Sequence, residues 1–322
     1  MYVTTRDQQG PASRDAALLQ LLTGLRGAGY SFVTPTPATH ARVLARPDRA
    51  IARTTRDIFG WSLPFDRDAI PAALLSLMTD AGIVEDEGAL CRSTVRVSSL
   101  GPDLYLHSAY PTESRDAVFF GPDSYRFARL ITSELQTMPP PAGAHVVDMG
   151  TGSGVGVIVA AHLCSKPSLT ITDINPQALR FAEINLASAG FAATAVLGST
   201  LESIVDPIDL ALANPPFMVD ESARDYRDGG GHHGSGISLS MARMAVARLA
   251  PGGRFILYTG SAFVDGEDHL ARELQAVAAD AGCSLRYEEI DPDVFGEELE
   301  NPAYAKVERI AAIAAVMRRP SA

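Results

Sequence analysis

The sequence predicts an α/β protein: a doubly wound, mostly parallel sheet of seven strands, preceded by a smaller, mainly helical domain. Three observations carry that reading. Beyond Pro139-Pro140-Pro141-Ala142-Gly143, short apolar runs alternate with stretches of helical length, the order that covers a parallel sheet on both faces. Three glycines separate the first of these runs from the helical stretch after it, as a sharp strand-to-helix turn requires. Before the prolines the order differs: helical segments come first and a hairpin follows.

In the first region, Asp15 to Leu22 has helix-like apolar content, and Gly27 to Gly29 can end that helix. Ala69 to Asp80 is a second helix, stopped by Ala81-Gly82. Ser93 to Val97 and Leu104 to His107 read as two short strands around Ser99-Leu100-Gly101-Pro102-Asp103. Helices followed by a hairpin suggest a winged-helix-like cap, assigned to residues 1–110, with the second domain over 111–322. There the expected strands are His145–Met149, Leu169–Asp173, Thr194–Leu197, Ile208–Ala213, Arg254–Thr259, Leu285–Ile290 and Val307–Val316. Helices are expected over Val155–Cys164, Pro176–Ala189, Ile237–Leu249 and Glu267–Ala281.

Composition narrows the function. With 46% hydrophobic and 20% charged residues, the 322-residue chain reads as globular. Its net charge is 27 − 38 = −11, and its only lysines are Lys166 and Lys306. An acidic chain without a basic run is a poor general binder of phosphate backbones, so a nucleic-acid partner is disfavoured. No apolar run approaches the roughly 20 residues that span a bilayer. The N-terminus lacks the basic-then-apolar layout of a signal peptide, so a cytoplasmic protein without a membrane partner is expected. Cys91, Cys164 and Cys283 follow no metal-ligand spacing and read as reduced, structural thiols. The adjacent His232 and His233 have no third His or Cys nearby, so no metal is expected.

The segment Asp148-Met149-Gly150-Thr151-Gly152-Ser153-Gly154 lets a ligand approach the backbone and opens a helix whose first N–H groups are free. Asp173 ends the next strand, 23 residues past Gly150, where an acidic side chain commonly accepts ribose hydroxyls. The spacing departs from the dinucleotide Gly-x-Gly-x-x-Gly pattern. It resembles motif I of the class I S-adenosylmethionine (SAM)-dependent methyltransferases, which have a Rossmann-like fold. That resemblance implies SAM as cofactor. It places its methionine part against the loop at Asp148, Gly150, Thr151 and Gly152, its ribose on Asp173 and its adenine beside Ile174. Relatives often carry Asp where this chain reads Gly198-Ser199-Thr200, which leaves Ser199 for the adenine amino group. Tyr125, in the segment before motif I, either covers the sulfonium through its ring face or belongs to the core with Phe127.

The strand Ile208–Ala213 runs into Asn214-Pro215-Pro216-Phe217. Prolines stiffen this tip and leave carbonyls without neighbouring N–H partners, so the Asn214 side chain and the Pro215 carbonyl can both accept hydrogen bonds. Phe217 can stack on a planar group. Together they suit a planar nitrogen whose two hydrogens are held while its lone pair points at a methyl donor. The tetrapeptide resembles the (Asn/Asp)-Pro-Pro-(Tyr/Phe) signature of amino-methyltransferases, among them HemK-like release-factor glutamine methyltransferases and enzymes acting on guanine N2 or adenine N6. The implied activity is N-methylation of an amide or amine on a protein side chain or small metabolite. The alternatives are a nucleobase exocyclic amine in rRNA or tRNA, or an intramolecular reaction of SAM that releases methylthioadenosine. Two loops complete the reading. Asp225 to Gly234 is rich in glycine, as a mobile loop folding over substrate would be. Phe295 to Tyr304 adjoins the same crevice only if it crosses the carboxyl edge of the sheet.

Overall fold

The computed structural model describes residues 10–220, 224–231 and 233–321. The N-terminal residues 1–9, part of the segment read for a leader, and His232 lie outside the described residues. The described chain divides into two compact units.

The first unit comprises residues up to Glu113, with Val118–Pro122 and Glu183–Phe191. Its helix α1 (Pro11–Gly27) buries Leu18, Leu21, Leu22 and Leu25, a stripe at helical spacing that packs on α4 (Ala72–Asp80). Between them lie α2 (Pro37–Leu44), capped by the Thr36 hydroxyl, and α3 (Thr55–Phe59), opened by a reciprocal Thr54–Asp57 capping box. The helix expected from Ala69 begins three residues later. Pro71 holds Ile70 extended (φ −115°, ψ 153°), so Arg67–Ala69 forms only a separate 3-10 turn. Two antiparallel hairpins follow, β1 (Val84–Glu87) with β2 (Leu90–Ser93) and β3 (Val95–Leu100) with β4 (Asp103–Ser108). Asn185 is wholly buried in this unit and brackets Leu106, accepting from its N–H at 2.8 Å and donating to its carbonyl at 3.0 Å.

The second unit holds the sheet. Its strands are β5 (His145–Met149), β6 (Ser168–Asp173), β7 (Thr194–Leu197), β8 (Ile208–Ala213), β9 (Leu249–Val264), the two-residue β10 (Glu267–Asp268), β11 (Ser284–Asp291) and β12 (Val307–Arg318). The order across the sheet is β11-β12-β9-β8-β5-β6-β7, with β10 paired to β9. All neighbours are parallel from β7 to β9, whereas β12 runs antiparallel to both β9 and β11. Helices α5 (Pro122–Thr137), α6 (Val155–Leu163), α7 (Pro176–Ala189), α8 (Gly236–Arg248) and α9 (His269–Asp280) accompany the strands. Val147 of β5 lies between Thr170 and Ala211, and Leu210–Ala213 are all fully buried, as expected of strands covered on both faces.

The fold is thus the doubly wound α/β sheet expected, on a seven-strand path. Strand β9 is longer than Arg254–Thr259, because it continues through Gly260 and Ser261 in register with Ala312 and Ala311 of β12. The chain leaves β5 towards β6, while β8 lies on the other side of β5. That reversal opens a crevice at the carboxyl ends of β5 and β8, where this architecture binds ligands. Among the described residues no helix is long and apolar enough to cross a membrane.

Candidate active site

Between β5 and α6 the backbone turns through Gly150 (φ +65°), Gly152 (φ +54°) and Gly154 (φ +81°), left-handed conformations that side-chain-bearing residues adopt at a cost. Gly154 is the N-cap of α6 and supplies no side-chain cap. Asp148 takes over that role from the strand. Its carboxylate accepts from Thr151 Oγ1 at 3.0 Å and from the Val157 N–H at 2.9 Å. Only 1% exposed, it lies under the first turn of α6, and burial pushes its pKa up to about 7. Gly156 makes room for it: a Cβ there would stand 2.9 Å from either carboxylate oxygen and 2.8 Å from Phe127.

Asp173, at the end of β6, accepts from the Gly152 N–H at 3.0 Å and from the Asn175 N–H at 2.9 Å. One carboxylate thereby ties the glycine loop to the start of α7, and burial raises its pKa. Beside it Ile174 is 54% exposed, and Leu197, paired in register with Asp173, is 61% exposed. Two large apolar side chains therefore stand open at this edge of the sheet, and Leu197 went unmarked in the sequence because it reads as an ordinary strand residue. Ser199 follows as an exposed residue. A nucleoside ligand fits these features: left-handed glycines offering backbone N–H groups, a carboxylate with an unused lone pair on each oxygen, and open apolar flanks.

At the tip of β8, Asn214 is half-buried, and its side-chain amide has no hydrogen-bond partner among the described residues. Pro215 is buried. The Phe217 ring is built into the wall of the site. It packs on Gly260, where a Cβ would enter the ring, and stands edge-on to Tyr258 at 6.4 Å and Phe295 at 5.7 Å.

Phe295 decides where the β11–β12 loop runs: it crosses the carboxyl edge. Tyr304 from the same loop donates to Met218 Sδ at 3.7 Å and also meets the Val219 N–H at 2.8 Å. Glu298 pairs with Arg227, which also lies 3.7 Å from Asp220. Of the three glutamates in this loop, then, one is spent on an internal ion pair. Two of the glycines after the tetrapeptide also allow close packing of the loop. Gly229 donates to the Met218 carbonyl at 2.7 Å, and a Cβ on Gly229 or Gly234 would overlap the Phe217 backbone. A Cβ on Gly230 or Gly231 would instead meet open space. His233, the described member of the histidine pair, lies 6.4 Å from the Tyr304 ring.

The structure adds a buried polar group that the sequence did not single out. Leu257 pairs with Ala213, so Tyr258 stands level with Asn214 in the sheet. Its hydroxyl donates to Asp123 at 2.6 Å, and Asp123 also meets Arg126 at 3.3 Å. Arg126 extends the chain to Asp291 at 3.1 Å. Burial raises the Asp123 pKa. Tyr125, next to it on α5, is half-buried, whereas Phe127 is buried 6.4 Å from the Tyr258 ring.

The family model of the methyltransferase small domain matches residues 127–282. The matched stretch, 156 of the 322 residues, is similar to the class I SAM-dependent methyltransferases. The match takes in β5 through α9 and so includes the glycine loop, Asp173 and Asn214; the cofactor of this methyltransferase family is SAM. The chain is 28% identical over 187 residues to the release factor glutamine methyltransferase of Deinococcus radiodurans, covering 55% of this chain and 63% of that one. It is 30% identical over 115 residues to the ribosomal RNA small subunit methyltransferase C of Cronobacter sakazakii, covering 36% of this chain and 31% of that one. The chain therefore spans less than two thirds of either relative's length. Among solved structures, M. jannaschii TYW2 in complex with AdoMet is similar, with TM-score 0.47 at 14% identity over 70% of this chain and 87% of that one.

Proposed function

We propose that this methyltransferase places the methyl group of SAM on a planar nitrogen, an amide or amine, carried by a protein side chain or a small metabolite. The observation that carries the reading is Asn214. An amide left without a hydrogen-bond partner among the described residues, at the stiff end of a strand whose last four residues are fully buried, is poised for a ligand.

In this reading Gly150, Thr151 and Gly152 line the amino-acid end of the cofactor, with Asp148 bracing the loop from behind. Asp173 accepts from the ribose hydroxyls through the lone pairs its two backbone bonds leave over. Ile174 and Leu197 flank the adenine, Ser199 meets its amino group, and Tyr125 covers the sulfonium. The bound cofactor supplies an electrophilic methyl group. The side-chain oxygen of Asn214 and the carbonyl of Pro215 accept the two hydrogens of the acceptor nitrogen and so aim its lone pair. Phe217 holds the apolar side of that pocket. An in-line displacement of this kind gains chiefly from alignment, which a strand tip locked by two prolines supplies.

A glutamine amide in a protein is supported by the D. radiodurans relative, whose name states that acceptor. A nucleobase amine is the second reading, supported by the ribosomal RNA relative and opposed by the net charge of −11. The test is Asn214→Ala assayed with SAM and a panel of amide and amine acceptors. SAM binding retained with turnover lost is the expected result; unchanged turnover would remove the acceptor assignment.

A further inference from the structure

The first unit carries a second feature, independent of which nitrogen is methylated. Five of its arginines, Arg42, Arg46, Arg49, Arg53 and Arg56, fall within fifteen residues. Part of this stretch lines a groove of about 440 Å³, with Arg49, Arg53, Arg56 and Trp61 in its walls. In an acidic protein, arginines are readily neutralised within the chain. In the second unit Arg126, Arg224, Arg227, Arg286 and Arg309 all pair with carboxylates.

The stretch behaves otherwise. The guanidinium groups of Arg42, Arg46 and Arg53 have no side-chain partner among the described residues, and that of Arg56 meets only the Phe32 ring, at 5.7 Å. The Nε of Arg49 is buried with no hydrogen-bond partner, an arrangement that costs free energy unless something supplies an acceptor. Asp57, also in the groove, is already engaged by Arg49 at 2.9 Å and by the N–H groups of Arg53 and Thr54. That leaves Asp48 as the one groove carboxylate without a partner among the described residues.

We infer that this groove docks a carboxylate-rich peptide segment of a partner protein. Planar guanidinium groups pair bidentately with carboxylates, and the arginines follow one another from the end of α2 through the connecting turns into α3. A single-stranded nucleic acid fits less well. Its bases need an open aromatic face, whereas Trp61 is flanked by Phe32 and His40, each at 5.2 Å, and by Arg49 at 5.9 Å.

Trp61 is the chain's single tryptophan, so its emission reports directly on the groove. The experiment titrates the full chain with a ten-residue glutamate-rich peptide, its glutamine counterpart and a ten-nucleotide oligouridine, following Trp61 fluorescence. The expected result is a saturable change with the glutamate peptide alone, weakened about tenfold or more in Arg53→Glu/Arg56→Glu. Arg53→Gln/Arg56→Gln serves as a milder variant, and both are checked for an unchanged melting temperature. No saturable response, an equal response to the glutamine peptide, tighter binding of the oligouridine, or undiminished binding by both folded variants would each overturn the proposal. SAM binding and methyl transfer are read separately, so failure here leaves the acceptor assignment standing.

Discussion

Asp148 is next to last in β5 and Asp173 ends the adjacent β6, yet their carboxylates serve different purposes. Asp148 is sealed beneath α6 and bonded to Thr151 and Val157, whereas Asp173 lies beside the open Ile174 and binds the loop through Gly152. Asp173→Ala is expected to weaken SAM binding roughly tenfold to a hundredfold, since charge-assisted bonds are worth about 1.5–3 kcal/mol each; calorimetric titration with SAM measures it. His40 makes a pH prediction at the same scale. Burial, then the neighbouring Arg96 charge, lowers its pKa to about 4, against a bond to the Trp61 carbonyl that raises it. The unfolded chain, with an ordinary histidine near 6.5, therefore binds the proton first as pH falls. Stability is full above about pH 6.5 and declines towards pH 4 by roughly 3 kcal/mol from this group. Burial lowers the pKa of His107 as well, which adds in the same direction. Urea unfolding at pH 7.5 and pH 4.5 checks the sign, and His40→Gln should flatten the dependence.

At the scale of elements, two glycines set where the site's walls stand. Gly156→Ala would press on Phe127 and Asp148 together. A loss of about 1–3 kcal/mol is expected, as for other overpacked positions, visible as a lowered melting temperature. Gly260→Ala acts on Phe217 instead, because its Cβ would enter that ring. It is expected to reduce turnover while leaving SAM binding close to wild type, and paired binding and rate measurements would separate the two. Element boundaries also show what can be read in advance. Strands β5, β7 and β8 and helix α7 have the bounds expected from the sequence, because Gly, Pro or a polar residue punctuates each one. The β1–β2 hairpin was not legible: Val84-Glu85-Asp86-Glu87 is largely exposed and lacks an apolar alternation. Helix α5 was also missed, although Pro122 at its first position is a start signal.

For the whole molecule, the local signals for the glycine loop and the strand-tip amide were legible because each is written in consecutive residues. What was not legible depends on contacts between distant positions. Tyr258 meets Asp123 across 135 residues, Phe295 closes on Phe217, and the glycines at 229 and 234 serve close packing against a backbone the sequence does not place beside them. The arginine stretch reads in sequence as scattered charge, and its concentration against Trp61 emerges only once the first unit is folded. In the proposed function Asn214 aligns an acceptor nitrogen with the methyl group of SAM. Mass spectrometry of wild type and Asn214→Ala, incubated with SAM with and without amide and amine acceptors, is the deciding measurement. S-adenosylhomocysteine and an N-methylated product are expected only with wild type and an acceptor. Equal product from Asn214→Ala, or methylthioadenosine from wild type without any acceptor, would overturn this role for Asn214.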